Sequence, residues 1–112
     1  MGSLESPDAL SVRALADLRS AGADLVVLDV REPAELAICA LEGALHVPMA
    51  EIPARTGELP LDRPLVVVCH HGVRSRAVVD FLRRAGFDNA LNLDGGVDAW
   101  ALEIDPSMPR YQ

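Results

Sequence analysis

The chain has 112 residues, of which 50% are hydrophobic and 24% are charged, and its formal net charge is −7. A chain of this length buries roughly two thirds of the surface that it exposes when unfolded, so we expect one domain with its own core. The acidic charge argues against binding to nucleic acid or to an anionic membrane surface, because both attract basic proteins.

The chain contains two cysteines, Cys39 and Cys69. They match neither a disulfide scaffold nor a zinc ribbon nor a CxxC redox motif, and they fit reduced thiols in the cytoplasm. Residues 1–10 lack the basic start and the apolar run of a signal peptide, so we interpret them as an N-terminal leader. No apolar stretch reaches the length of a membrane span. These features predict a cytoplasmic protein that does not bind membranes.

Short apolar runs alternate with helical patterns along the chain. Ser11 is placed to cap a first helix, and the runs at 25–28 and 65–68 are apolar throughout, as is typical of central parallel strands. The predicted elements are a helix over 11–20, a strand over 25–28, a short helix over 33–37, a strand over 44–47, a broken helical piece over 49–55, a strand over 65–68, a helix over 75–85, a strand over 90–93, a turn over 94–96 and a helix over 97–102, followed by an extended C-terminal tail over 105–112.

Strands that alternate with helices predict an α/β domain whose parallel sheet is covered on both faces. In such sheets the ligand site lies beyond the carboxyl ends of the strands. Asp29 and Cys69 directly follow the two most apolar strands, so we expect the site at this edge.

Residues 69–75, with the sequence Cys-His-His-Gly-Val-Arg-Ser, join a buried strand to a helix. Backbone N–H groups of such a loop, together with the positive end of the following helix, form a site for an anion. A thiol at its centre loses its proton readily and becomes a nucleophile, which is the role predicted for Cys69. The other residues of this predicted substrate-binding loop are His70, His71, Gly72, Val73, Arg74 and Ser75.

The alternative interpretation is that Cys69 is a small buried hydrophobic residue, which is the commonest role of a cysteine at the end of an apolar strand. Two histidines, a glycine and an arginine follow it within five residues. Those residue types have no role in filling a core, so the pattern favours the nucleophile.

Four blocks of residues occur in a characteristic order. They are Leu-Asp-Val-Arg-Glu-Pro at 28–33 with Glu35, Gly-Ala-Leu-His-Val-Pro at 43–48, the loop at 69–75, and Leu-Asp-Gly-Gly-Val at 93–97 with Ala99 and Trp100. With these blocks, the chain resembles the single-domain rhodaneses of the sulfurtransferase family. The resemblance covers about residues 11–104, which we take as the rhodanese domain.

The resemblance implies a rhodanese-like fold, with a five-stranded parallel sheet flanked by helices on both faces. It also implies a thiosulfate sulfurtransferase in which the Cys69 thiolate takes the outer sulfur of a donor, such as thiosulfate, and becomes a persulfide. Cyanide, a thiol or a protein then accepts that sulfur. The backbone N–H groups of residues 70–75 would hold the persulfide, and no metal or organic cofactor is required.

Several residues near these blocks have more than one interpretation. Asp29 and Arg31 either orient the catalytic loop from a second layer or form a structural ion pair or cap with Glu35. Cys39 is interpreted as a structural thiol rather than as a partner that resolves a Cys69 persulfide. His46 could in principle bind a metal ion together with the loop histidines. Adjacent histidines on one tight loop do not easily face one ion, so we do not predict a metal site.

Two other functions stay open. One is a non-catalytic interaction module, or a module that delivers sulfur from protein to protein. The other is a phosphatase or arsenate reductase, although the related enzymes separate their cysteine and arginine by five residues and here four lie between Cys69 and Arg74. Residues 69–84 hold four arginines and one acidic residue. They predict a basic catalytic segment in a chain that is otherwise acidic.

Overall fold

The computed structural model describes residues 7–112, which form a parallel sheet of five strands covered by helices. The sheet order is β1-β5-β4-β2-β3, and every neighbouring pair is parallel. The predicted α/β fold is thereby confirmed. The strands are β1 (Ala9–Leu10), β2 (Val26–Asp29), β3 (Leu45–His46), β4 (Leu65–Val68) and β5 (Ala90–Leu93); the helices are α1 (Val12–Ser20), α2 (Pro33–Leu36), α3 (Val73–Arg84) and α4 (Gly96–Glu103), with 3₁₀ turns at Met49–Ala54 and Thr56–Glu58.

The central strand β4 explains why the core lies on both faces of the sheet. Its four side chains are fully buried and point to alternate faces. Leu65 and Val67 pack in one core cluster with residues of α3, whereas Val66 and Val68 pack in a second cluster with residues of α1 and α4. A strand that is buried on both sides must be apolar at every position, which is the pattern seen in the sequence.

The helix α3 begins two residues earlier than predicted. The sequence pattern placed its start at Ser75, but the helix runs from Val73, and Gly72 before it adopts a left-handed backbone with φ of 99°. Glycine reaches this conformation without steric cost, so the loop turns directly into the helix. The other predicted helices and strands are present, with ends that differ by at most two residues.

The edge strand β1 was not predicted. Ala9–Leu10 lies within the predicted leader and pairs with β5, where the Asn92 N–H donates to the Asp8 carbonyl at 2.8 Å. Two residues are too few to show a period-two pattern, so only the pairing reveals this strand. Residues 1–6 of the predicted leader lie outside the described residues.

The segment 105–112 contains no helix or strand, but it packs back on the domain. Met108 and Tyr111 contact the core cluster that α1 and α4 cover. The segment therefore forms part of the folded domain and reaches the edge of the sheet at which β4 ends. Within the described residues, every helix is too short or too polar to cross a bilayer.

Candidate active site

Cys69 lies directly after β4, at the edge of the sheet where the parallel strands end, and only 1% of its surface is exposed. Its Sγ accepts hydrogen bonds from the backbone N–H groups of Gly72 at 3.1 Å and Ser75 at 3.3 Å. The Ser75 hydroxyl oxygen lies 3.3 Å from the same sulfur. The loop therefore surrounds the sulfur with N–H donors that can stabilise negative charge on it.

A buried polar network holds the loop from the side of β5. The Ser75 hydroxyl donates to Oδ1 of Asn92, whose amide donates to the Gly72 carbonyl at 3.3 Å and to the Asp94 carboxylate at 2.9 Å. Asn92 thus fixes the two residues whose N–H groups bind the sulfur. Sequence reasoning missed Asn92, and the available signal was an amide side chain in an otherwise apolar strand.

The start of α4 orients the loop from the other direction. The N–H of Val97 donates to the Cys69 carbonyl at 2.9 Å, and the N–H of Asp98 donates to the His70 carbonyl at 3.1 Å. Gly96 has φ of 61°, and a Cβ on it would collide with both of these carbonyl groups. The Gly95-Gly96 pair, predicted as a turn, therefore also provides the close approach that lets α4 bind the loop carbonyls.

Arg74, a residue of the predicted substrate-binding loop, lies at the rim of the site, where a carboxylate neutralises its charge. Two of its nitrogens donate to the two oxygens of Glu35, each at 2.8 Å. This bidentate pair, helped by a hydrogen bond from Tyr111, lowers the pKa of Glu35 to about 2 despite partial burial. The sequence suggested Glu35 only as a partner of Asp29 or Arg31. It could not indicate the pair with Arg74, because Glu35 and Arg74 are far apart in the chain and no local pattern links them.

The two loop histidines have different environments. His70 is 8% exposed, and its ring lies between the rings of His71, at 3.9 Å, and Tyr111, at 3.8 Å. Burial, followed by the neighbouring His71, lowers the pKa of His70, which favours the neutral ring. The His71 side chain is 59% exposed, with Nδ1 3.9 Å from the Asp98 carboxylate. Val73, at the tip of the loop, is 76% exposed.

Asp29 and Arg31 form a buried ion pair, with 2.7 Å between the closest nitrogen and oxygen. The ion pair named among the alternatives is present, and a second-layer role of Asp29 and Arg31 in orienting the loop stays a prediction. Arg31 also donates to the Cys39 carbonyl at 2.8 Å and to the Tyr111 hydroxyl at 3.0 Å. The pair therefore braces the segment after β2. Arg31 is linked to the loop region through the Tyr111 hydroxyl and through the Glu35 carbonyl, to which it donates at 3.4 Å.

Cys39 and Cys69 are both free thiols that pack in different core clusters. The sheet separates these clusters, so the structure does not bring the two sulfurs together. His46 uses its Nε2 as a donor to the Arg31 carbonyl at 2.7 Å. Within residues 7–112, no group of three His, Cys, Asp or Glu side chains is arranged to hold a metal ion.

The Rhodanese-like domain family model matches residues 11–103. The chain is 38% identical over 104 residues to the probable adenylyltransferase/sulfurtransferase MoeZ of Mycobacterium tuberculosis, covering 91% of this chain and 26% of that protein. It is 34% identical to the thiosulfate sulfurtransferase GlpE of Shewanella oneidensis, covering 81% of this chain and 89% of that protein. The chain thus spans about a quarter of the length of MoeZ and most of the length of GlpE.

A solved structure supports the same relationship. The rhodanese-related protein of Thermoplasma volcanium is 32% identical and superposes with a TM-score of 0.79, over 87% of this chain and 93% of that one. The resemblance seen in the sequence is confirmed, and the chain belongs to the rhodanese-like domain family, among relatives that are sulfurtransferases.

Proposed function

We propose that the protein transfers sulfane sulfur from a donor such as thiosulfate to a thiophilic acceptor through a persulfide on Cys69. The observation that carries this proposal is the buried Cys69 Sγ held by two backbone N–H groups at the start of α3. Such fixed dipoles stabilise a thiolate without a metal or an organic cofactor. The name of GlpE, a thiosulfate sulfurtransferase, supports thiosulfate as a donor.

In the first step, the Cys69 thiolate attacks the outer sulfur of thiosulfate. A new S–S bond forms, the S–S bond of thiosulfate breaks, and sulfite leaves with the electron pair. In the second step, cyanide or a thiolate attacks the terminal sulfur of the persulfide, the S–S bond to Cys69 breaks, and the Cys69 thiolate is restored. Atoms and electrons balance over the two steps, so no external oxidant or reductant is needed.

The first turn of α3 can bind the persulfide as well as the thiolate. A helix leaves its first N–H groups without partners inside the helix, and at α3 these include the N–H groups of Val73 and Arg74. A terminal sulfur attached to Cys69 would carry negative charge within reach of this turn. The predicted loop residues would therefore act through their backbone, with the loop side chains shaping the rim.

A second candidate is delivery of sulfur from protein to protein in the cytoplasm. The observation that favours it is the matched charge at the rim, where Glu35 neutralises Arg74 and Asp98 pairs with Arg110 at 2.9 Å. This rim gives a small dianion little net electrostatic attraction. The exposed side chain of Val73 beside the loop would suit contact with an acceptor protein.

The experiment that tests the proposal measures thiocyanate formed from thiosulfate and cyanide by the wild type, Cys69→Ser and Cys39→Ser. We expect turnover by the wild type and by Cys39→Ser, and none by Cys69→Ser. Turnover by Cys69→Ser would contradict the proposal. Sulfur passed to a thiol or protein with negligible turnover of thiosulfate would favour the second candidate, and Cys69-dependent hydrolysis of a phosphomonoester would favour a phosphatase instead.

A further inference from the structure

Tyr111 lies beyond the residues that the family model matches, yet it contacts the active-site region at three points. Its ring stacks on the His70 ring, with 3.8 Å between centroids and 9° between planes. Its hydroxyl donates to Oε2 of Glu35 at 2.7 Å and accepts from Arg31 at 3.0 Å. One partly buried side chain thus joins segment 105–112 to the loop, to α2 and to the segment after β2.

The hydroxyl of Tyr111 acts on the loop through Glu35. The same carboxylate oxygen that accepts from Tyr111 also accepts from Arg74 at 2.8 Å. Arg74 directly precedes Ser75, whose N–H binds the Cys69 sulfur. Burial raises the pKa of Tyr111 to about 12, so the hydroxyl keeps its proton at pH 7 and remains a donor to Glu35. Tyr111 therefore fixes the carboxylate that anchors the end of the loop.

The ring of Tyr111 acts on the loop through His70, the residue after Cys69. Tyr111 stacks on the imidazole with 9° between the ring planes, and the His71 ring lies 3.9 Å from the same imidazole at a tilt of 33°. The charged groups that influence His70 are His71, Asp98 and Glu35, and its own Nε2 is buried without a hydrogen-bond partner among the described residues. The stacked ring of Tyr111 is thus a main reason why this imidazole is dry and fixed.

We propose that Tyr111 is a positioning residue for sulfur transfer, which holds His70 and the Glu35–Arg74 pair in place around the Cys69 loop. The inference rests on the proposed function of Cys69. It adds to the site a side chain from segment 105–112, which no sequence pattern places near the loop. Since Tyr111 does not touch the sulfur, its effect is on the geometry and hydration of the loop.

The test uses two substitutions that separate the ring from the hydroxyl. Tyr111→Phe keeps a ring over His70 and loses the bonds to Glu35 and Arg31, whereas Tyr111→Leu loses both. We expect kcat/KM for thiosulfate to fall about tenfold in Tyr111→Leu, with a smaller loss in Tyr111→Phe. The matched control is Gln112→Ala, because Gln112 is the exposed neighbour of Tyr111 and should keep the wild-type rate.

An NMR titration of the His70 ring gives a readout that a purely structural role would not change. In the wild type and Tyr111→Phe we expect His70 to titrate below the ordinary range of histidine. In Tyr111→Leu, water reaches the ring, and the titration should move up towards the ordinary pKa. Thermal unfolding of each variant checks that the domain is folded under the conditions of the assay.

The proposal is overturned if folded Tyr111→Leu retains both the wild-type kcat/KM and the wild-type titration of His70. It is also overturned if Tyr111→Phe loses as much activity as Tyr111→Leu while the His70 titrations of all three proteins agree. If the wild type takes no sulfur from any donor, the proposed function fails separately. In that case, the His70 titration still decides whether Tyr111 positions this ring.

Discussion

The sulfur of Cys69 receives its N–H hydrogen bonds from backbone groups that carry no formal charge. Gly72 and Ser75 supply them, while the nearest cation of the loop, Arg74, is engaged by Glu35. Fixed dipoles need no reorganisation when charge moves on to the sulfur, so they suit a site that alternates between thiolate and persulfide. At the scale of single residues, Glu35 therefore serves the architecture of the loop rather than the chemistry at the sulfur.

The lowered pKa of Glu35 predicts how the stability of the folded domain changes with acid. This pKa is lowered from 4.5 to about 2, mainly by the hydrogen bonds from Arg74. The folded state therefore favours the ionised carboxylate, and this stabilisation is complete above about pH 4.5 and is lost as the pH falls towards 2. Between about pH 6 and about pH 3, the wild type should lose up to about 2 kcal/mol more unfolding free energy than Glu35→Gln.

Urea unfolding at the two pH values measures this difference. The control is Glu103→Gln, because Glu103 is an exposed carboxylate of α4 and its substitution should leave the wild-type acid response intact. If the wild type and Glu35→Gln lost the same unfolding free energy between the two pH values, the pair between Glu35 and Arg74 would not stabilise the folded domain.

The residue-scale features that could be predicted were local in sequence. One short stretch of the chain contains Cys69, Gly72 and Arg74, so the chemistry of these residues could be inferred from the sequence. Asn92 and Tyr111 could not be placed at the site, because their contacts with the loop join residues far apart in the chain. No periodicity or spacing encodes such contacts.

At the scale of elements, the site depends on how α4 meets the loop after β4. The first N–H groups of α4 bind the loop carbonyls, and this contact requires the absence of a side chain at Gly96. The helix patterns predicted both α3 and α4, and the sequence predicted the anion site at the start of α3, but only the fold shows that the start of α4 orients the loop. The two-residue strand β1 escaped prediction for a similar reason, since its pairing with β5 defines it.

Gly96→Ala should disrupt the site and destabilise the domain. The added Cβ would meet the carbonyl groups of Cys69 and His70 in a left-handed backbone that alanine rarely adopts. We expect a loss of at least about 2 kcal/mol of unfolding free energy, and a loss of sulfur transfer in whatever protein remains folded. The measurements are chemical unfolding and thiocyanate formation.

The matched control for this substitution is Gly57→Ala. Gly57 lies in a 3₁₀ turn, and a Cβ there would meet nothing within 4 Å. The stability and activity of the Gly57→Ala variant should stay near those of the wild type. If Gly96→Ala behaved like Gly57→Ala, the close approach of α4 to the loop would not be required.

At the scale of the whole molecule, the fold shows that two of the arginines counted in the catalytic segment are paired with acidic residues. The sequence predicts a basic segment over 69–84, but acidic residues from elsewhere in the chain and one within the segment itself pair with these two arginines. Glu35 binds Arg74, and Asp8 and Asp80 each lie 3.0 Å from Arg76. Composition gives the net charge of −7 correctly, but it cannot show which charges meet. The rim of the site therefore carries matched charge rather than a net positive charge, and under the proposed function the binding of a sulfur donor depends on the backbone of the loop.

The mass of the intact protein after incubation with thiosulfate tests the central claim, a persulfide on Cys69, most directly. We expect the wild type and Cys39→Ser to gain the mass of one sulfur atom and to lose it again on addition of cyanide, while Cys69→Ser gains nothing. A wild type whose mass does not change with any sulfur donor, or a Cys69→Ser protein that gains sulfur reversibly, would contradict the account.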